Sequence, residues 1–428
     1  MTFFVSIYLV GLLVVAQVSE PSTPIPDLSL KNRLQTYFSA EIATDRSTVA
    51  ESIGQEHKFE DVLRELKNLD LWGEVDAIRK IPPPWVIELP SGQKVTVQTG
   101  TAPKPGAQPA VIQFSAQPIQ GAPAAQTGMA AWMTVSPPVG GSFALPRNSS
   151  SDLPLLMREI RKLVHLDRDR IYLFGDQEAA DAAWIAGMQY PAHFAGLIVV
   201  EGVPRVPYPD QLLALLLPNL RHVPCLSIWI DSGPQQPNSQ VAVLNKAMAE
   251  FATKAGMSFE TATLAASKDQ GFEIPLHLLS PTIKKPRPRE KDISHCFRYL
   301  PQGNAGWLRA TELSGDVWEH DQISIATTQK EDRDAFITQT LKDKLFHLAG
   351  KIEGQLISIE TQRIGGIEVR LSPDHVDFSK PVAIRINGRA RYEGMLESSV
   401  TDLLESAYED WDLQHPVHIR KQFSIHAR

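Results

Sequence analysis

Cysteine is nearly missing from this chain: Cys225 and Cys296 are the only two in 428 residues. Two cysteines exclude a disulfide-dense scaffold and a cysteine-rich zinc or iron–sulfur site. A single bridge between them finds no support in their spacing. An excess of positive charge is also missing. Lys and Arg number 42 against 49 Asp and Glu, a net charge of −7, so the basic face that tracks a phosphate backbone is not there and no nucleic-acid partner is expected. Internal repeats and low-complexity blocks are absent as well. What is present is ordinary globular composition, with 43% hydrophobic residues, and a length that corresponds to about three domains.

The longest apolar run, Thr2–Ala16 (TFFVSIYLVGLLVVA), carries no charge and gives way to polar residues from Gln17. It is shorter than the roughly 20 residues a membrane span requires. With Val14 and Ala16 as small residues before a cut, residues 1–19 read as a secretory signal peptide, directing the chain to the periplasm or the medium. The segment preceding the run has no Lys or Arg, unlike most such signals. The alternatives are an uncleaved anchor or a buried apolar N-terminus. The mature chain is expected to contain no membrane span.

Four parts follow from the changes of rhythm along the chain. Residues 20–81 read as helical, with Val62, Leu63, Leu66 and Leu69 near helical spacing, until Pro82–Pro84 stop the pattern. Residues 82–283 hold short strands at Trp85–Leu89, Lys94–Gln98, Ala110–Phe114 and Trp132–Val135, then a regular alternation. Helices near 152–164, 178–189, 210–217 and 240–255 separate strands at 170–174, 195–200, 225–230 and 258–264. Such alternation predicts a mostly parallel sheet with helices on both faces, an α/β fold. Residues 284–291 (KKPRPREK) read as a solvated linker. Residues 292–428 are β-rich, with one helix near 400–411 and a hairpin signalled by Asn387-Gly388.

The stretch 167–202 carries a resemblance. Asp167 and Arg170, the apolar Ile171–Phe174, Gly175, Trp184, Tyr190-Pro191 and Phe194-Ala195-Gly196 occur in the order found in α/β-hydrolases of the secreted esterase and prolyl-oligopeptidase-like kind. The chain is similar to that family over these residues. The resemblance implies a sharp strand–turn–helix elbow with the pattern G-x-S-x-G, in which the central serine is the nucleophile. Here the pattern reads Gly175-Asp176-Gln177-Glu178-Ala179. The small residues that the turn needs are kept, and an amide stands where the hydroxyl should be. A glutamine has no comparable nucleophilic chemistry.

The other positions implied by the resemblance are altered in the same way. The acid's turn reads Asp231-Ser232-Gly233, with Gly233 at the acid position and Asp231 two residues early. The histidine position reads Gln270, before Gly271. The oxyanion loop reads Ser115-Ala116, without glycine. Farther on, Leu371-Ser372-Pro373, Asp377, Lys380-Pro381-Val382 and Asn387-Gly388 resemble a β-rich accessory module attached to some secreted bacterial hydrolases of this group; a packing partner that caps the α/β domain reads equally well.

Two classes of function follow. One is a degenerate esterase- or peptidase-like protein that binds a small-molecule, peptide or protein ligand beside Gly175–Ala179, at the carboxyl ends of the strands. The other is an active serine hydrolase with relocated residues, drawn from Ser115, Ser136, Ser149–Ser151 and Ser232 with His193, His222 and His277. A third reading is a cell-envelope interaction protein led by the C-terminal part. No cofactor is implied. Asp176, Glu178 and Asp181 crowd one turn, but carboxylates in a first helical turn favour the helix dipole without any metal. His415 and His418, three apart on an expected strand, point to opposite faces and should not share a metal.

Overall fold

A computed structural model of the chain describes residues 29–72, 83–99, 106–115, 131–142, 149–231, 240–265, 276–287, 289–318 and 330–425. The proposed signal peptide lies outside the described residues. No helix among the described residues is long and apolar enough to cross a membrane.

Three helices come first: α1 (Leu30–Ser39), α2 (Ala43–Glu56) and α3 (Phe59–Asn68). The Ser29 hydroxyl caps α1 by accepting from the Asn32 amide. Four strands follow: β1 (Trp85–Glu88), β2 (Lys94–Thr99), β3 (Gln108–Phe114) and β4 (Ala131–Ser136). Then come α4 (Asp152–Leu163), β5 (Leu166–Asp176), α5 (Ala180–Gln189), β6 (Gly196–Val200), α6 (Pro209–Leu216), β7 (Cys225–Asp231), α7 (Gln240–Lys254), β8 (Phe259–Ala265) and α8 (Leu276–Ile283). Strands β1–β8 form one sheet of eight, in the order β1-β2-β4-β3-β5-β6-β7-β8. Only β2 runs against the others. The expected mostly parallel α/β sheet is therefore present.

Alternation along each strand builds a core on both faces, because successive strand side chains point to opposite sides. Ile112, Ile171, Leu173, Leu197 and Val199 meet α4, α5 and α6. Their neighbours Val111, Tyr172, Phe174, Ile198 and Ile228 meet Leu279 and Ile283 of α8. Gly256, at φ +67°, follows α7 as the predicted helix stop.

The remaining chain adds β9 (Asp292–Phe297), β10 (Asn304–Ala305), β11 (Leu308–Leu313), α9 (Lys330–Lys344), β12 (Phe346–Glu353), β13 (Leu356–Gln362), β14 (Ile364–Leu371), β15 (Val382–Ile386), β16 (Arg389–Gly394), α10 (Val400–Asp410) and β17 (Ile419–Ser424). They make a four-stranded sheet, β10-β11-β14-β17, and a five-stranded one, β16-β15-β13-β12-β9. A shared core of Leu308, Ile357, Ile367, Val369 and Ile384 lies between them. The β15–β16 hairpin turns at Asn387 (φ +50°) and Gly388 (φ +75°), the left-handed pair that Asn-Gly favours.

Three arrangements depart from the sequence reading. The β-rich part holds a second helix, α9, besides α10; its charged sequence buries Ile337 and Leu341 but shows no clear apolar stripe. The linker 284–291 is not merely solvated. Arg287 reaches the Ala192 carbonyl oxygen and Asp169, and Arg289 spans from Asp169 to Asp374. Carboxylates waiting on both sides explain why a basic, proline-broken segment is held. The N-terminal helices also do not keep their apolar face to themselves. Leu34, Ile53, Val62 and Leu66 share one core with Leu403, Leu404 and Ala407 of α10. The Tyr37 hydroxyl donates to Glu405 at 2.8 Å, and Arg46 stacks on Tyr408, 3.9 Å from its ring centre. A leucine-rich stripe on α10 could not be assigned a partner from its own neighbourhood, because the partner lies more than three hundred residues away.

Leu404→Ala should lower stability by about 2–5 kcal/mol in urea denaturation, the usual cost of truncating a buried leucine. Amide exchange should rise together across 30–68 and 400–410. Faster exchange confined to α10 would show that the two segments do not form one cooperative unit.

Candidate functional site

The carboxyl end of β5 carries the elbow. Gln177 sits between β5 and α5 at φ +43°, a left-handed conformation that costs a non-glycine residue about 1–2 kcal/mol. Its side chain is exposed. The turn closes tightly because its neighbours are small. A Cβ on Gly175 would lie 2.5 Å from the Ala183 Cβ and 2.7 Å from the Ala179 carbonyl oxygen. One on Gly202 would lie 2.1 Å from the Ala180 Cβ. The Trp184 indole donates to the Gly202 carbonyl oxygen at 3.1 Å, fixing α5 against the end of β6. Gly175 lies near the end of β5, and Gln177 and Ala179 lie in the turn that follows it.

Around this turn, Asp176 is half-buried, and burial raises its carboxyl pKa while a Gln113 hydrogen bond opposes the rise. Gln113 itself accepts from the Trp132 indole at 2.7 Å. Asp181 accepts from the Ala182 amide and pairs with Arg205, as a first-turn carboxylate does. Among the described residues no group of His, Cys, Asp and Glu is arranged to hold a metal. Asp231 ends β7, paired in register with Ala265. Gly233, Gln270 and Ser232 lie outside the described residues.

Two of the three histidines proposed as relocated bases stand elsewhere, and the side chain of the third, His277, lies outside the described residues. His193 precedes β6 and His222 precedes β7, so both are at the amino edge of the parallel strands. Gln177 is at the carboxyl edge, some 15–20 Å away at about 3.3 Å per strand residue. Neither histidine can serve the elbow. Ser115 follows β3 and Ser136 is the last residue of β4, both at the carboxyl edge, whereas Ser149–Ser151 lead into α4. The two serine–histidine contacts of note were not anticipated. Ser294 Oγ lies 2.9 Å from His347 Nε2 across β9 and β12. Ser372 Oγ lies 3.0 Å from His375 Nδ1, but that nitrogen already accepts the Ser372 amide, so the pair caps a turn. His415 and His418 precede β17 instead of lying in it: His415 faces Asp169, and His418 packs on Phe59.

The densest charge cluster lies at the amino edge, where the eight-stranded sheet meets β9–β17. Asp410 is bound by Arg168 at 2.8 Å and Arg370 at 3.0 Å, and its carbonyl oxygen accepts from Arg161. Burial alone would raise the Asp410 pKa, but Arg168, Arg370 and Arg161 hold it far below the usual range. Asp169 is likewise held down by Arg287, His415 and Arg289 against the effect of burial. His193 lies 3.4 Å from Arg161; burial first, then Arg161 and Arg168, push its pKa down to about 3. Above this network opens a cleft lined by both halves of the molecule, including Pro191, Ala192, His295, Trp307 and His415. Cys225 and Cys296 are buried free thiols.

The architecture defines a class: an α/β protein with a mostly parallel eight-stranded sheet and a tight strand–turn–helix at the carboxyl end of β5. No protein-family model and no curated protein sequence matches the chain. Several solved structures overlay on part of it. A thermostable esterase matches at 16% identity over 47% of this chain and 59% of its own, TM-score 0.32. A dipeptidyl peptidase 4 of Porphyromonas gingivalis matches at 12% identity over 47% of this chain and 34% of its own, TM-score 0.35. A ferulic acid esterase matches at 12% identity over 42% and 88%, TM-score 0.32. The chain therefore spans only part of the first two. The overlap with all three is loose, and the fold class rests on the sheet order.

A buried neutral histidine ties stability to pH. His193 has a reference pKa near 6.5 when unfolded and about 3 when folded, so below pH 6.5 the unfolded chain binds the extra proton. Stability should fall by about 1.4 kcal/mol per pH unit from this group as pH drops from 6.5 towards 3. The urea midpoint followed from pH 7 to pH 4 should slope accordingly, and His193→Gln should flatten the slope. An equal slope in that variant would remove His193 from the account.

Proposed function

We propose that this protein keeps the elbow of a serine hydrolase as a scaffold and acts by binding a ligand or partner instead of forming an acyl-enzyme. One observation carries the reading: an exposed glutamine holds the left-handed position of the elbow. Its amide can donate and accept hydrogen bonds to whatever docks at the carboxyl edge of the sheet. It offers no lone pair that a base could sharpen into a nucleophile. The altered acid, histidine and oxyanion positions of the sequence support the same reading.

The protein should not be labelled by a fluorophosphonate probe and should not turn over a short-chain aryl ester. Gln177→Ser should leave both results unchanged, because a lone hydroxyl without a base and oxyanion donors gains little. Serine labelling that vanishes in one Ser→Ala variant would overturn the proposal. Ser294, whose hydroxyl faces His347, is the first position to test for a relocated nucleophile.

The apolar run Thr2–Ala16 supports export as the second element of this proposal. Protein recovered from the periplasm or medium of expressing cells should begin between residues 17 and 20 by N-terminal sequencing. A cytosolic product that retains Met1 would remove it.

A further inference from the structure

The edge strands of a sheet leave a row of backbone donors and acceptors without partners. Most edges of this molecule are blunted. Strand β1 is four residues long and β10 two. Strand β16 carries Arg389, Arg391 and Glu393, and its pairing is irregular opposite Ile384 and Arg385. On β9 the Asn219 side chain engages both the Cys296 amide and its carbonyl oxygen. On β17 the Arg420 amide donates to Asp402. Short strands, charges, bulges and covering groups are the usual means of keeping an edge from pairing.

Strand β8 has none of them. It runs seven residues, Phe259–Ala265, in unbroken parallel register with β7. It holds no proline, lysine or arginine, and Glu260 is its one charged residue. The Cys225 amide donates to the Ser258 carbonyl oxygen at 2.9 Å. In a parallel ladder that bond sets the parity. Backbone groups of Glu260, Ala262 and Leu264 turn toward β7, and those of Phe259, Thr261, Thr263 and Ala265 turn away. Among the described residues no hydrogen bond reaches the outward groups. Thr261 and Thr263, in the middle of the row, are exposed.

The row is complementary to itself. When it is laid antiparallel to a second copy with the two-fold axis at Ala262, Thr261 falls opposite Thr263 and Phe259 opposite Ala265. These are the residues whose backbone groups point outward, so each pair can exchange both of its hydrogen bonds. Two threonines also make a favourable cross-strand pair. Glu260 falls opposite Leu264, so the two copies of Glu260 stand about 14 Å apart along the strands, at about 3.4 Å per residue. Each carboxylate has Lys285 of its own chain 4.0 Å away. No like charges meet across the joint.

We infer that the chain pairs with a second copy of itself through β8, joining the two eight-stranded sheets into one. A two-fold contact of this kind closes on itself and leaves neither β8 edge open. It concerns the sheet edge alone and does not depend on the reading of Gln177.

Sedimentation of the full-length protein across a dilution series tests this. The mass should be twice that of one chain and fall to one on dilution. Thr263→Pro removes an outward N–H and none of the bonds to β7. It should raise the dimer dissociation constant about thirtyfold or more, the worth of two hydrogen bonds of about 1 kcal/mol each. Thr263→Ala keeps the amide and should keep the dimer. Ala262→Cys checks the register without a proline, so it stands even if Thr263→Pro does not fold. Its two copies would face each other about 4.5 Å apart, in a non-hydrogen-bonded pair and within disulfide range. Mild oxidation should then give a covalent dimer, and Glu260→Cys should not. The native Cys225 and Cys296 are buried and should give no background. A monomer throughout the series overturns the inference and leaves the edge to a strand of some other protein. A dimer that survives Thr263→Pro, or that Glu260→Cys cross-links as readily as Ala262→Cys, places the contact elsewhere and overturns it as well.

Discussion

The assembly of this protein depends on a carboxylate that cannot leave its arginines. Asp410, at the end of α10, is gripped by Arg168 from the start of β5 and Arg370 from β14, with Arg161 of α4 on its backbone oxygen. The groups come from three separate regions of the chain. Burying such ions costs several kcal/mol apiece, and the cost is offset only while every partner is in place. That makes the cluster a poor source of net stability but a strict one of geometry. Any slip between the α/β sheet and the β-rich sheets leaves a charge buried and unpaired. The same constraint extends to the linker, whose Arg287 and Arg289 clasp Asp169 beside it.

The turn at Gln177 shows how packing alone can fix a backbone shape. What keeps Gln177 left-handed is steric: Gly175 against Ala183 and Ala179, Gly202 against Ala180, and the Trp184 indole on the Gly202 oxygen. None of these contacts involves the side chain at position 177. The shape is therefore a property of how α5 docks on β5 and β6, and it does not depend on a serine.

Much of the fold was legible because it is local. Strands β3 to β8 announce themselves by short apolar runs between helices, and Asn387-Gly388 sets its hairpin by backbone preference alone. The elbow could be found from the spacing of small residues. What escaped is what the folded chain brings together from afar. Strand β9, with the sequence DISHCF, hides a histidine on its inner face and a cysteine against the other half of the molecule, so its pattern is neither clean alternation nor an apolar run. Strand β12 is hard to read for a related reason, since Gly350 makes room for Trp307 where a larger residue would be expected. The charged network consists of arginines, aspartates and a histidine that read as surface residues one at a time. Only packing shows that they are interior.

The shared core of α1–α3 and α10 bears on the order of events as the chain is made. Tyr37 and Glu405, joined by a hydrogen bond, are separated by 368 positions in the sequence. On a ribosome adding about 5–20 residues each second, the first helices would wait tens of seconds before their partner emerges. Through that interval Leu34, Ile53 and Leu66 face water or whatever binds exposed apolar surface. The α/β sheet, whose contacts are between nearby strands, can close in the meantime. The earliest part of the described chain to be synthesised would then be among the last to find its place.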